Sequence, residues 1–161
     1  MTGLLNDDLA AVRSRLRWHS DEAPGQRCAV VGYAGTVSSG AALAYASGWA
    51  ERTMGAVVIV HVDAAAGMTF AECASATAGL VAPVIPPGDM SRAVVEAMAH
   101  VSARWAYLSA RGDVAAQLER VAVALKADVV VVGRSSRPRF RIAPSVGRRL
   151  LKSSRHVTVV V

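Results

Sequence analysis

The sequence predicts an α/β domain: a doubly wound, five-stranded parallel sheet with an N-terminal helical extension. Three observations lead there. Four Val-rich runs are apolar continuously rather than alternately, which is the pattern of strands buried on both faces. The segments between the strands repeat their apolar residues at helical period. Strands alternating with helices of this length form right-handed βαβ units, which wind a parallel sheet.

The elements follow in chain order. Residues 1–26 form an extension in which Asn6 or Asp7 can cap a helix with Leu9, Val12 and Leu16 on one stripe; Trp18 follows, and Asp21–Gln26 reads as linker. Residues 27–161 form the main domain. Its first strand is Cys28–Gly32, after which Ser38 or Ser39 can cap a helix to about Met54 with Tyr45 and Trp49 on one side. The second strand is Ala56–Val62. Pro83, Pro86, Pro87 and Gly88 mark a long irregular connection before a helix with Val94, Met98 and Val101 on one face. A weaker strand, Arg104–Ser109, precedes a helix capped by Asp113 that aligns Val114, Leu118, Val121, Ala122 and Leu125. The fourth and fifth strands of the domain are Asp128–Gly133 and Val157–Val161.

Composition bounds the function. At 161 residues, with 53% hydrophobic content, the chain holds one domain with a real core. Its most apolar stretches, Ala56–Val62 and Val129–Val132, are strand-length and far too short for a bilayer span, so no membrane association is expected. The start, with Asp7 and Asp8 after two leucines, has no signal-peptide pattern, and Cys28 and Cys73 form no CxxC pair. A cytoplasmic location with free thiols is expected. No metal site is expected either, because His61 and Asp63 have no further ligand nearby.

The net charge of +6 is concentrated in one place. Residues 134–155 hold Arg134, Arg137, Arg139, Arg141, Arg148, Arg149, Lys152 and Arg155 and no carboxylate. Removing those eight from the 18 basic residues leaves 10 against 12 acids in the rest of the chain. An anionic partner is therefore to be sought at this segment.

The order of motifs resembles the universal stress protein family over roughly residues 27–161. Val31-Gly32-Tyr33-Ala34-Gly35-Thr36 before a Ser/Ala-rich helix looks like the family's first βα turn, and Gly112-Asp113 like its approach to the third helix. Ala127-Asp128-Val-Val-Val-Val-Gly133 is similar to its fourth strand, and Ser145-Val146, a helix and Val157–Val161 to its ending. The resemblance implies the strand order 3-2-1-4-5, with ligands at the carboxyl ends beside the switch point between strands 1 and 4. There the crevice lies between Tyr33, Ala34, Gly35 and Thr36 on one side and Gly133–Val146 on the other, with Val62 and His61 close by.

Nucleotide-binding members of the family carry an acid near the end of the first strand and a loop of the form G-x2-G-x9-G-[ST]. Glycines let backbone N–H groups approach phosphate, and the hydroxyl residue opens a helix whose N-terminus favours anions. This chain keeps Gly133 and Ser145. Ser136 stands at the second glycine and Pro144, which has no N–H, at the third, with only seven residues between them. Ala34 replaces the acid. The sequence therefore points to a subclass with a degenerate ATP-binding loop, and ordinary ATP or AMP binding is not expected. Against this, Arg134, Arg137, Arg139 and Arg141 could offer guanidinium forks to a phosphorylated small molecule, or could form a solvated positive loop. The candidate nucleotide contacts are Tyr33, Ala34, Gly35, Thr36, Val62, Gly133, Arg134, Ser136, Arg137, Arg139, Ser145 and Val146.

No catalytic residue is expected: Asp63 is a lone carboxylate, and no nucleophile, metal or P-loop signature occurs. Trp18, Trp49 and Trp105 are scattered and form no stacking ladder, so nucleic acid is not an expected partner. The last strand, Val157, Thr158, Val159, Val160 and Val161, is uncharged and lies at the sheet edge, which invites pairing with another chain. The resemblance implies an antiparallel homodimer through it, unless the N-terminal helix covers that edge. The leading reading is a dimeric, non-enzymatic stress-response regulator without ordinary ATP binding. Its alternatives are a nucleotide-binding switch using the arginine-rich loop and a basic-patch binder of anions or nucleic acid.

Overall fold

A computed structural model describes residues 11, 12, 14–18, 27–63, 87–134, 145–153 and 157–161. Within them run β1 (Arg17–Trp18), β2 (Cys28–Gly32), α1 (Val37–Thr53), β3 (Ala56–Asp63), α2 (Pro87–Met98), β4 (Arg104–Arg111), α3 (Val114–Leu125), β5 (Val129–Val132), α4 (Val146–Ser153) and β6 (Val157–Val160). One sheet contains all the strands, in the order β1-β4-β3-β2-β5-β6. The five strands from β2 to β6 are mutually parallel and form the expected 3-2-1-4-5 arrangement.

Continuous apolar runs make the strands because both faces of the sheet are covered. On one face Val30, Val58, Val60, Leu108, Val130 and Val132 pack with Leu118, Val121 and Ala122 of α3 and Leu150 of α4. On the other, Ala29, Val31, Val57, Ile59, Val129 and Val131 pack beneath Leu43 and Ala46 of α1 and Val94 and Met98 of α2. Burying each such Val or Ile contributes about 1.5–3 kcal/mol, so the central strands hold the domain together. α1 faces the sheet with alanines (Ala42, Ala46 and Ala50 are all fully buried), which lets it lie close to the strands.

The helix ends follow local chemistry. α1 is capped by Thr36 rather than by Ser38 or Ser39: the Thr36 hydroxyl accepts from the Ser39 N–H, and the Ser39 hydroxyl accepts from the Thr36 N–H in return. A capping box needs its second hydroxyl three residues on, and Ser39 fills that place. α3 starts at Asp113 as expected, with Oδ1 accepting from the Ala116 N–H at 2.9 Å. Asp128 closes the start of β5 onto β2: its N–H donates to the Cys28 carbonyl and its Oδ2 accepts the Cys28 N–H, both at 2.8 Å.

The described part of the extension is helical at residues 11, 12, 14 and 15, as expected, and then adds a strand that was not expected. Arg17–Trp18 adds an antiparallel strand to β4, pairing Arg17 with Tyr107 and Trp18 with Ala106. Val12 is buried in the core, with Leu16 and Trp18 packed against it. The described part of the extension therefore lies at the β4 edge and leaves β6 at the opposite edge uncovered, contrary to the alternative that it shields β6. The physical reason is register: Val12, Leu16 and Trp18 find apolar surface beside Ala106 and Leu108. Leu9, Asp21–Gln26, Cys73, Pro83, Pro86 and the arginine-rich loop lie outside the described residues.

Candidate functional site

The carboxyl ends of β2 and β5 lie side by side, since Gly32 pairs with Val132, while the chain leaves them in opposite directions across the sheet. That is the switch point, where loops diverge and leave a crevice. The β2 side consists of Tyr33, Ala34, Gly35 and Thr36. Tyr33 continues the ladder by donating its N–H to the Val60 carbonyl at 2.9 Å, and its own carbonyl is 3.1 Å from Nδ1 of His61. The half-buried His61 thus has a backbone partner. Gly35 takes φ 68°, a left-handed conformation that glycine adopts without strain and that turns the chain into α1. Ala34, Gly35 and Thr36 are exposed.

On the β5 side, Gly133 is there for space. A Cβ at this position would stand 2.4 Å from the Ser38 carbonyl oxygen and 2.8 Å from the Ser39 nitrogen. The end of β5 therefore meets the first turn of α1 backbone to backbone, which only glycine permits. Arg134 is exposed, and its N–H donates to the Val161 carbonyl at 2.5 Å, tying the switch point to the end of the edge strand.

Farther along, Ser145 opens α4: its Oγ accepts from the Arg148 N–H at 3.3 Å and its carbonyl from the Arg149 N–H at 3.0 Å. Val146 is partly buried against the core, so its side chain has a packing role. α4 is clamped to the start of α3 by a bidentate pair between the Arg149 guanidinium and both oxygens of Asp113, Nη2 lying 2.9 Å from Oδ1. Hydrogen bonds from Arg149 first, then from the Ala116 N–H, hold the Asp113 carboxyl below its usual range. This clamp was not foreseen from sequence. The only signal for it was a helix-capping acid in a chain whose last quarter is rich in arginine.

The structure thus brings Tyr33, Ala34, Gly35, Thr36, Gly133 and Arg134 to the switch point, with Val62 near the end of β3. Ser136, Arg137, Arg139, Arg141 and Pro144 lie outside the described residues. Among those that are described, no group of three His, Cys, Asp or Glu residues could hold a metal ion, and no helix is long and apolar enough to cross a membrane.

Strand order, switch point and a glycine turn feeding a helix N-terminus define a doubly wound α/β protein of the kind that seats ligands over the ends of its strands. Comparison with solved structures makes the class specific. The chain superposes on the universal stress protein UspA from Lactobacillus plantarum with a TM-score of 0.63 at 16% identity, covering 87% of this chain and 99% of that one. A universal stress protein family member from Burkholderia pseudomallei gives 0.60 at 22% identity, over 86% and 98% of the two chains. The universal stress protein from Archaeoglobus fulgidus in complex with dAMP gives 0.59 at 14% identity, over 83% and 96%. This chain has the universal stress protein fold. No family model matches the sequence, and no curated protein does.

Proposed function

We propose that the chain is a non-enzymatic regulator of the universal stress protein type, a homodimer through β6, whose crevice does not hold ATP in the way of the nucleotide-binding members. The observation that carries this reading is at the switch point. Ala34 places a methyl group where an acid would hold a ribose or a base edge, and the first turn of α1 already satisfies its Thr36 and Ser39 groups through the capping box. Gly133 is accounted for by its contact with Ser38, so its presence is no sign of phosphate binding. Pro144 removes a further backbone donor from the loop.

A second reading is favoured by one specific observation, the eight cationic and no acidic residues of 134–155, in a chain whose fold is shared by a universal stress protein from Archaeoglobus fulgidus solved in complex with dAMP. In it, the arginines close on the phosphates of a nucleotide or another phosphorylated small molecule, replacing the missing backbone donors. One experiment separates the two. Nucleotide extracted from freshly purified protein is assayed, and ATP, AMP and dAMP are titrated calorimetrically. The first reading expects no bound nucleotide and no saturable heat at micromolar concentrations. Saturable binding that is lost on replacing Arg137, Arg139 and Arg141 with Ala establishes the second and refutes the first.

A further inference from the structure

The two edges of the sheet are treated differently. At one edge β6 has four residues, no charge and no described neighbour on its outer side, with Val157 66% and Val160 37% exposed. At the other, β4 is eight residues long and its outer side is occupied midway by β1, a strand of only two residues. Four side chains seat the segment there. Val12 is buried in the core, Leu16 and Trp18 pack against the same cluster, and an Arg15 Nη2 donates to the Ser109 carbonyl of β4 at 2.8 Å. Inside the segment is a cavity of about 490 Å3 lined by Ser14, Arg15, Ser91, Tyr107 and Ser109 among others. Among the described residues, the segment rests on the edge by these anchors, with a half-open cavity between it, α2 and β4.

We propose that residues 12–18 are an edge guard: they occupy the β4 edge so that β6 of a second copy cannot add there. An unguarded β4 would offer a long row of backbone donors and acceptors, the feature of a sheet most prone to strand addition. The chain itself carries the strand best suited to take that place. Pairing of β4 with β4 of another copy in a centred antiparallel register sets Arg104 opposite Arg111 at both ends, which places like charges face to face. β6 carries no charge and meets no such repulsion. Addition of β6 to β4 is a heterologous contact, using a different surface on each copy, so it does not close on itself and extends copy by copy. Guarding β4 confines association to the β6 edge, where a two-fold contact ends at two chains. The guard is independent of what the crevice binds. The mass of the unaltered protein bears on the β6 dimer, and the change on releasing the segment bears on the guard.

The test releases the segment in the full chain by two independent changes. R17P/W18P removes both N–H groups of β1, one of which faces β4 because alternate residues of a strand donate to the same side. Val12→Asp detaches the buried anchor without altering the pairing residues. Hydrogen exchange of the Ala106–Ser109 amides and light scattering across a concentration series are measured on each variant, with a cooperative melt to establish that the domain is folded. In both variants the β4 amides that face β1 are expected to exchange about tenfold faster or more, while those that face β3 stay protected. The scattering mass should climb with concentration past twice the 16.8 kDa chain, while the unaltered protein levels off. Adding Val157→Lys to either variant should stop the growth, since it charges the strand that adds. Faster exchange with no growth overturns the proposal, as does unchanged exchange or growth that survives Val157→Lys.

Discussion

Asp113 shows how one side chain serves two elements. One oxygen caps α3 through the Ala116 N–H, and both engage Arg149 of α4. Because its folded pKa is lowered, the stability it contributes is fully present above the unfolded value of 3.8 and is lost as pH falls through the lower folded value. Asp113→Ala should therefore destabilise the domain at neutral pH by about 1 kcal/mol, the usual effect of losing an N-cap. Asp113→Asn keeps an acceptor for the cap and loses the charge, so its stability should fall less steeply than the wild type's as the pH drops below 3.8. Chemical denaturation along a pH series checks both; an Asn variant with an acid limb as steep as wild type would remove the linkage. The capping role was legible in the sequence, because Asp before an apolar-periodic run is a local signal. The pairing with Arg149 was not, since 36 residues separate the partners and only the fold brings them together. Cys28 is a similar case. Its small apolar character was readable, but the Asp128 carboxylate beside it was not; burial first, and then that charge, push the thiol up to about 12.

At the scale of elements, β5 and α1 meet at Gly133. An alanine there would place its Cβ 2.4 Å from the Ser38 carbonyl oxygen, and backbone on both sides leaves no side chain to swing aside. Gly133→Ala should destabilise by about 1–3 kcal/mol, the range of an overpacked contact, because the first turn of α1 must move off the end of β5. Thermal or urea denaturation measures this, and an alanine variant as stable as wild type would show that the two elements can part freely. The sequence marked Gly133 as the surviving glycine of a phosphate loop. Its contact with Ser38 is a sufficient cause for glycine on its own, and it could not be seen before the crossover was known to bring α1 beside β5. The strands themselves were legible because burial on both faces writes an uninterrupted apolar run. The two-residue β1 was not, since a pair of residues carries no period, and Trp18 reads equally well as part of a helix stripe or of a strand.

For the whole molecule, the consequence of these placements lies at the β6 edge. Val157, Val160 and Val161 are 66%, 37% and 38% exposed, and Leu151 on the adjoining α4 is 61% exposed. These residues join an open row of backbone groups to apolar surface, and a second copy of the same edge offers the same combination in return. A two-fold contact here pairs β6 with β6 and extends the sheet across both chains, so each copy covers the other's valines. The protein should scatter light at twice its 16.8 kDa chain mass. Its melting temperature should rise with protein concentration, because dissociation is then linked to unfolding. Val157→Lys tests the geometry with little risk to the fold, since this side chain is mostly solvated: the variant should be monomeric and melt at a temperature independent of concentration. A wild-type protein that is monomeric at micromolar concentration would remove the dimer and leave β6 open to some other strand. A dimer that survives Val157→Lys would place the contact elsewhere, and the exposed face of α1 around Tyr45 would be the surface to examine next.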